Sequence, residues 1–503
     1  MNPRVTIGMD LARRAPHQAV IVPGDGVSDT RARKAETTGG SLDAMLEAAG
    51  GPQGCRVVIE PAGLVWIPVA AYLAHRGCEV ISVDTRSSHQ FRKFIKRTVK
   101  SDRVDAEALA RMPAANPTRI RPVALPSAAQ FSLQRLVRLR SQLVKDRSRE
   151  VLRLLAALEA YVPALPGVLG EGAALTAAKA FLLRRFLHPQ SVLEAGVQGM
   201  QQALAEATMP IEELLLQRWH RAAEKAWSLW KPLIAANSCP VDFEVAQVEV
   251  ELHLERVAAL DGHVAALEKK IASAYRRADP DRLVETLPGI ASTIAPAVRA
   301  FVGDVRRFPS AKDFVSYFGL APLKNQSGNA DRSGQRISKA GNRLMRQYLF
   351  LAADAARRTD LELAAYYHAR RQAGWHHTKI VVAIANKLAR RLYAVLKREA
   401  AGDHAGYHFY DDQGAELAAK QSTRLTRQRY PSLNQLREKE GRGSEANHER
   451  QSLNSPAPYP EPSAVDDHTQ RAAPAKPVRT AAPARLGEVK RQWSGAPCIS
   501  DGA

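Results

Sequence analysis

Cysteine is scarce in this chain: four in 503 residues, Cys55, Cys78, Cys239 and Cys498, with no CxxC pair. That scatter argues against a thiolate zinc site and a disulfide framework, and it fits a reducing, cytoplasmic setting. Long apolar runs are missing as well. No stretch reaches the roughly 20 residues that span a bilayer, and the N-terminus lacks the charged-then-apolar pattern of an export signal, so no membrane role is expected. Acidic charge is in deficit, with 51 Asp and Glu against 72 Lys and Arg, a net +21. Such an excess is the electrostatic footprint of a polyanion binder, and it does not separate DNA from RNA. The 45% hydrophobic content is enough for real cores, and the length suggests about two to four domains.

The acids that are present fall in an informative order. Asp10 closes the apolar run VTIGMD and Glu60 closes RVVIE, both patterned as strands, so each strand ends on a carboxylate. Asp102 and Asp105, in KSDRVDAEALARM, stand three apart at the start of a predicted helix and share one face. Taken singly, an acid at a strand end or in a first helical turn is usually a cap or a solvated charge. Taken together, four carboxylates at one point would repel by about 4 kcal/mol per close pair at an effective dielectric of 20. A divalent cation offsets that, and an all-oxygen ligand set suits Mg²⁺ or Mn²⁺ rather than zinc. Two such ions can activate a nucleophile and stabilise a leaving oxygen during displacement at phosphorus.

The segments GMDLA, VVIEPAG and KSDRVDAEALA resemble the N-terminal domain of the DEDD-type transposases of bacterial insertion sequences, the insertion-sequence family numbered one hundred and ten. A second stretch, from LPGIASTIAPAVRAFVG through GLAPLKNQSGNADRSGQRISKAGNRLMRQYL, resembles the same family's C-terminal transposase domain, in the family's order. The resemblance implies an α/β RNase H-like (RuvC-like) N-terminal domain, similar to Holliday-junction resolvases, in which Asp10, Glu60, Asp102 and Asp105 are catalytic metal ligands. It also implies a serine nucleophile that joins covalently to a DNA phosphate, at Ser327 by the matching Ser-Gly pair. Ser333 and Ser338 are local rivals, and a Ser-Gly pair is otherwise a turn. Assembly as a homodimer or homotetramer, and choice of donor and target DNA by a structured guide RNA, are further implications of the resemblance.

Along the chain, residues 1–120 read as the α/β domain: a hairpin of RVTIGMDLA and HQAVIVP, an edge strand near residues 35–38, a helix in SLDAMLEAAG, and a βαβ unit from CRVVIEPAG to CEVISVD. The basic segment after Asp84 offers Arg92, Lys93, Lys96, Arg97 and Lys100 to phosphates, although a solvated basic face is the commoner fate of such a run. Residues 121–280 read as a helical, coiled-coil connector. A long helix over 126–162 carries a stripe from Leu136 and Leu143 to Leu158. A second helix over 244–278 repeats Val250, Val257, Val264 and Ile271 every seven residues, interrupted in its other line by His253. Within-chain packing of these helices is the competing reading. The Trp-rich span 163–240 is helical without assignable chemistry.

Residues 281–400 form the mainly α transposase domain, with a candidate helix-hairpin-helix turning at Pro288 and Gly289, or a plain helical hairpin. Residues 322–336 read as a loop, followed by a helix with Lys339, Arg343 and Arg346 near its start as candidate phosphate contacts. His376 and His377 lack a third metal ligand and read as a loop or helix start. Residues 401–503, rich in Pro, Ala and charge, are predicted disordered. The expected activity is metal-dependent DNA strand cutting and rejoining. A water-using junction nuclease and a non-catalytic nucleic-acid binder are the alternatives, and the second has no reason to converge negative charge against DNA.

Overall fold

A computed structural model of the chain describes residues 5–24, 30–61, 63–95, 101–115, 122–170, 175–210, 212–323, 326–327, 330–331 and 336–407. Residues 408–503 of the predicted disordered tail and the candidates Lys96, Arg97, Lys100 and Ser333 lie outside these residues.

The N-terminal part is a mixed five-stranded sheet of β1 (Val5–Asp10), β2 (His17–Pro23), β3 (Arg31–Ala35), β4 (Cys55–Ile59) and β5 (Glu79–Ser82), in the order β3-β2-β1-β4-β5. β1 pairs antiparallel with β2 and parallel with β4, and β4 is parallel to β5. The alternation of VTIGMD sets its two faces. Ile7 and Met9 are fully buried with Val57 and Ile59 under α1 (Gly39–Ala48) and α2 (Trp66–His75). The edge strand lies earlier than the sequence suggested, at Arg31–Ala35, because Thr38 is taken as the cap of α1, its side chain accepting from the Ser41 N–H. Four consecutive exposed residues, Arg31 to Lys34, hid this strand from a search for apolar alternation, and their charge suits an edge.

The segment read as a basic run folds as α3 (Thr85–Ile95), and α4 (Asp102–Ala115) covers the opposite face of the sheet. Its approach is unusually close. A Cβ on Gly8 would stand 1.9 Å from the Ala106 carbonyl oxygen and 2.4 Å from the Ala110 nitrogen, so only glycine lets α4 rest on β1. Ala106 and Ala110 pack with Val20 and Val22, and Leu109 with Val58 and Ile81.

Two long helices follow, α5 (Ala128–Tyr161) and, after α6 (Leu165–Leu169), α7 (Ala177–Arg185), α8 (Pro189–Glu206) and α9 (Glu213–Ala235), α10 (Phe243–Ala278). α5 and α10 run antiparallel, as Arg140 pairs with Glu268, Arg147 with Asp261 and His253 with Glu150. Val250, Val257 and Ile271 are buried in the seam, while Val264 is only half-buried. His253 is less an interruption than one side of a polar layer with buried Glu150. The Trp-rich α6–α9 build their own core around Trp219, closed against Leu154 and Leu158 of α5 and Val250 and Leu254 of α10.

The remaining chain carries α11 (Ala295–Val302), α12 (Ala311–Tyr317), two-residue strands β6 (Gln326–Ser327) and β7 (Ala330–Asp331), α13 (Arg343–Thr359), α14 (Leu361–Gln372) and α15 (His377–Glu399). Leu133 and Val137 of α5 and Ile271 and Tyr275 of α10 enter its core. The helical hairpin expected around Pro288 is replaced by a single 3-10 turn, Leu283–Thr286, before α11. Gly289, at φ 77°, turns against the backbone of α13, where a Cβ would meet the Ala352 oxygen at 2.1 Å. His376 caps α15 by accepting from the Thr378 N–H. Among the described residues no helix is long and apolar enough to cross a membrane.

Two outcomes are expected. Gly8→Ala lowers unfolding free energy by about 3 kcal/mol in denaturant melts, the upper range for overpacking, whereas Gly40→Ala, with open space around it, changes it by less than about 0.5 kcal/mol. The second concerns Glu150. Burial alone would raise its pKa, but hydrogen bonds from His253, Arg153 and Arg256 outweigh burial and hold it at about 2. A depressed carboxylate stabilises the fold above its unfolded pKa and loses that contribution as pH falls through the folded one. The melting-temperature advantage over Glu150→Gln should therefore be full at pH 6 and shrink as pH falls from about 4.5 towards 2.

Candidate active site

The register Met9↔Ile59 makes Asp10 and Glu60 the next neighbours at the ends of parallel β1 and β4, strands about 4.8 Å apart. By alternation both lie on the face shared by Gly8 and Val58, which is the face α4 covers. Along α4, Asp102, Ala106 and Ala110 form one row over β1 and β2, and Asp105 and Leu109 form the next over β4 and β5. Ser101 caps the helix, its hydroxyl accepting from the Val104 N–H at 3.3 Å. The first-turn acids are favoured by the helix dipole. Asp102 is exposed, and Asp10, Glu60 and Asp105 are partly buried.

α3 ties two of these elements together. Ser88 donates to Glu60 Oε2 at 2.5 Å, and Arg92 Nε lies 2.9 Å from Asp105 Oδ1. Ser88 and Arg92 are four residues apart, one turn or about 6 Å along a helix. α3 thus contacts both Glu60, at the end of β4, and Asp105, in the first turn of α4. Among the described residues no three His, Cys, Asp or Glu are gathered as a metal cage. Instead Arg92, with its side chain only 11% exposed, supplies the positive charge at Asp105. By chemistry alone, carboxylate oxygens are hard donors of the kind that suit Mg²⁺ or Mn²⁺ rather than zinc.

A family model described as "Transposase IS116/IS110/IS902 family" matches residues 281–368, and a DEDD transposase model of the IS110 group matches residues 7–163, the span containing all four acids. The chain belongs to the IS110 family of DEDD transposases. Among similar proteins is the "Insertion element IS110 uncharacterized 43.6 kDa protein" of Streptomyces coelicolor, 24% identical over 421 residues, 82% of this chain and 98% of the relative. The "Probable family 20 transposase" of Pseudomonas aeruginosa is 28% identical over 61% of this chain and 76% of its own length. A "Pilin gene-inverting protein" of Moraxella lacunata is 32% identical over 23% of this chain and 36% of its own length.

In this transposase, Ser327 ends β6 and pairs with Ala330 of β7 in a short antiparallel ribbon, where the sequence had suggested a loop. The ribbon's base is closed by Leu323 N–H to Arg336 O and Ser338 N–H to Ala321 O, both 2.9 Å. The Ser327 side chain lies outside the described residues. Lys339, at φ 54°, precedes α13 and is exposed, as are Arg343 and Lys93. Arg346 is half-buried and donates to the Phe318 carbonyl at 3.1 Å, which gives it a role in joining α13 to the end of α12. Burial and the neighbouring Arg343 lower its pKa. Ser88 was not anticipated: its four-residue spacing from Arg92 has meaning only once the basic run is known to be a helix.

Arg92→Ala should lower the stability of metal-free transposase by about 1–2 kcal/mol, between the values for exposed and buried ion pairs. Added Mn²⁺ should raise the melting temperature of the variant more than that of the parent, since the ion replaces the missing charge.

Proposed function

We propose that this transposase cuts and rejoins DNA strands at a composite site made by the four carboxylates and Ser327. The observation that supports the reading is that α3 bonds to two of the four acids, to Glu60 beyond the end of β4 through Ser88 and to Asp105 of α4 through Arg92. The strand order and pairing of the sheet support an RNase H-like (RuvC-like) domain over residues 1–120. The antiparallel α5–α10 pair supports a coiled-coil connector over 121–280, with the transposase domain at 281–400 and a tail at 401–503.

Asp10, Glu60, Asp102 and Asp105 would hold Mg²⁺ or Mn²⁺. The ion would supply charge neutralisation at the scissile phosphate and lower the pKa of an oxygen nucleophile. Ser327 Oγ, a poor nucleophile until its proton is removed, attacks phosphorus and gives that proton to a base of the acidic cluster. The bond to the leaving sugar oxygen breaks, that oxygen takes up the proton accepted from the serine and leaves as a hydroxyl, and a phosphoserine ester keeps the bond energy. A hydroxyl from a second strand then attacks the ester, restoring a phosphodiester and freeing the serine. By the family resemblance, a structured guide RNA selects the donor and target DNA, and the protein works in the cytoplasm as a homodimer or homotetramer.

The test is a denaturing gel of end-labelled donor DNA with protein, Mg²⁺ and RNA transcribed from the element's flanks. A protein-linked DNA band is expected, abolished by Ser327→Ala and by Asp102→Ala. Free nicked DNA without that band, unchanged in Ser327→Ala, would move the reading to a water-using nuclease. Calorimetry that found no Mn²⁺ binding dependent on Asp10 or Asp102 would remove the metal from both.

A further inference from the structure

The cations of α5 divide into two stripes. Arg140 and Arg147, seven residues apart, face α10 and are neutralised by Glu268 and Asp261. Arg135, Arg138, Gln142, Lys145 and Arg149 alternate at spacings of three and four, which places them on another single face. They form one wall of a groove of about 790 Å³ whose other wall is Tyr317 and the Gly341–Leu344 turn into α13, with Arg343 at the helix start. No Asp or Glu lines this groove. Arg149 alone has an acidic partner, Asp146, while Arg135, Arg138, Lys145 and Arg343 have none among the described residues.

Cations crowded together without a counter-ion are unfavourable, and the local chemistry reflects it. The Arg138 guanidinium lies 4.8 Å above the Phe301 ring rather than against a carboxylate. Partial desolvation, countered by Tyr317 and reinforced by Arg135, pulls its pKa below the ordinary arginine value. An anion in the groove would relieve this arrangement. The stripe covers 15 residues, Arg135 to Arg149, about 21 Å of helix from first to last, and its side chains recur along the axis, which matches a linear polyanion better than a single small phosphate. Gln142 and Asn342 add neutral hydrogen-bonding groups of the kind that contact phosphate oxygens. Of the lining residues, Tyr317 and Asn342 are joined by Asn342 N–H to Tyr317 O, and the two segments continue from there to Ala321 and Ser338, whose bond closes the base of the Ser327 ribbon.

We propose that the α5–α13 groove is a nucleic-acid phosphodiester track, in which Arg135, Arg138, Lys145 and Arg343 hold a backbone beside the Ser327 ribbon. This deepens the strand-exchange reading and rests on it for the meaning of the ribbon, though not for the binding itself. The track reads charge and spacing, not base sequence.

The experiment measures binding by fluorescence anisotropy across a salt series without divalent metal, using full-length Ser327→Ala protein so that chemistry plays no part. Labelled duplex DNA and a structured RNA of equal length are the two probes. Adding Arg135→Gln, Arg138→Gln and Lys145→Gln together should weaken binding to at least one probe about 10- to 100-fold near 0.1 M salt and reduce its log–log salt slope by about two to three. Loss confined to DNA or to RNA assigns the track to that polymer. The paired cations provide the comparison: Arg140→Gln with Arg147→Gln should leave the salt slope within about one of the parent. A triple variant that keeps its parent's melting temperature and both salt slopes overturns the proposal. If the glutamines unfold the protein, Lys145→Met and Arg343→Met, at exposed positions, repeat the test. Together they should lower the slope by about two, and an unchanged slope overturns the proposal equally. Lost binding in these variants, with no protein-linked DNA from the active parent, would keep the track and reject the serine mechanism.

Discussion

The contact of α4 with the backbone of β1 at Gly8 is the constraint on which the candidate active site depends. A helix normally rides on a sheet through side chains, and here a missing Cβ lets the Ala106 and Ala110 backbone come down onto the strand. The first turn of α4, with Asp102 and Asp105, is thereby drawn towards the sheet face that carries Asp10 and Glu60. Close packing is bistable rather than softly deformable, so the carboxylates inherit the rigidity of the helix–sheet contact. Two of these carboxylates have partners on α3, the Ser88 hydroxyl at Glu60 and the Arg92 guanidinium at Asp105.

A second constraint is the antiparallel pair α5 and α10. Its length would serve little purpose if it were only a spacer, and both ends are built into other cores. Leu133, Val137, Ile271 and Tyr275 pack with α11 to α15, and Leu154, Leu158, Val250 and Leu254 pack with the Trp219 bundle. Buried Asp279, just past α10, accepts from Tyr275, Arg299 and the backbone N–H groups of Leu283 and Val284. These bonds hold its pKa below the ordinary aspartate value despite burial. Removing one partner there would leave a charge stranded inside the fold. Between these ends the pair has a polar layer, with His253 and buried Glu150 where an apolar layer would be expected. That polar layer suits a register marker, since a slipped pairing would take His253 and Arg256 of α10 away from Glu150.

The chain itself determined a good deal. Apolar alternation ending on Asp10 and Glu60, the four-residue acidic signature DRVD at the start of a helix, and seven-residue repeats near Val250 all act through local periodicity. Periodicity survives in a linear text. The sheet strands other than β3, together with α4 and the long helices, were legible for that reason, and the excess of Lys and Arg pointed to a polyanion without naming a groove.

Tertiary structure decided the rest, because the deciding contacts join residues with no fixed spacing in sequence. In sequence Arg92 and Arg346 are cations near a predicted helix, and only the fold shows Arg92 Nε 2.9 Å from Asp105 and Arg346 donating to the Phe318 carbonyl. Gly289 read as an outward hairpin turn, and its lack of a Cβ is used inward, against α13. The sorting of the α5 cations into a neutralised stripe and an open one depends wholly on where α10 and α13 lie. Sequence sets which charges a helix carries and on which face. Only the packed neighbours decide which of those charges are answered within the protein and which are left for a partner.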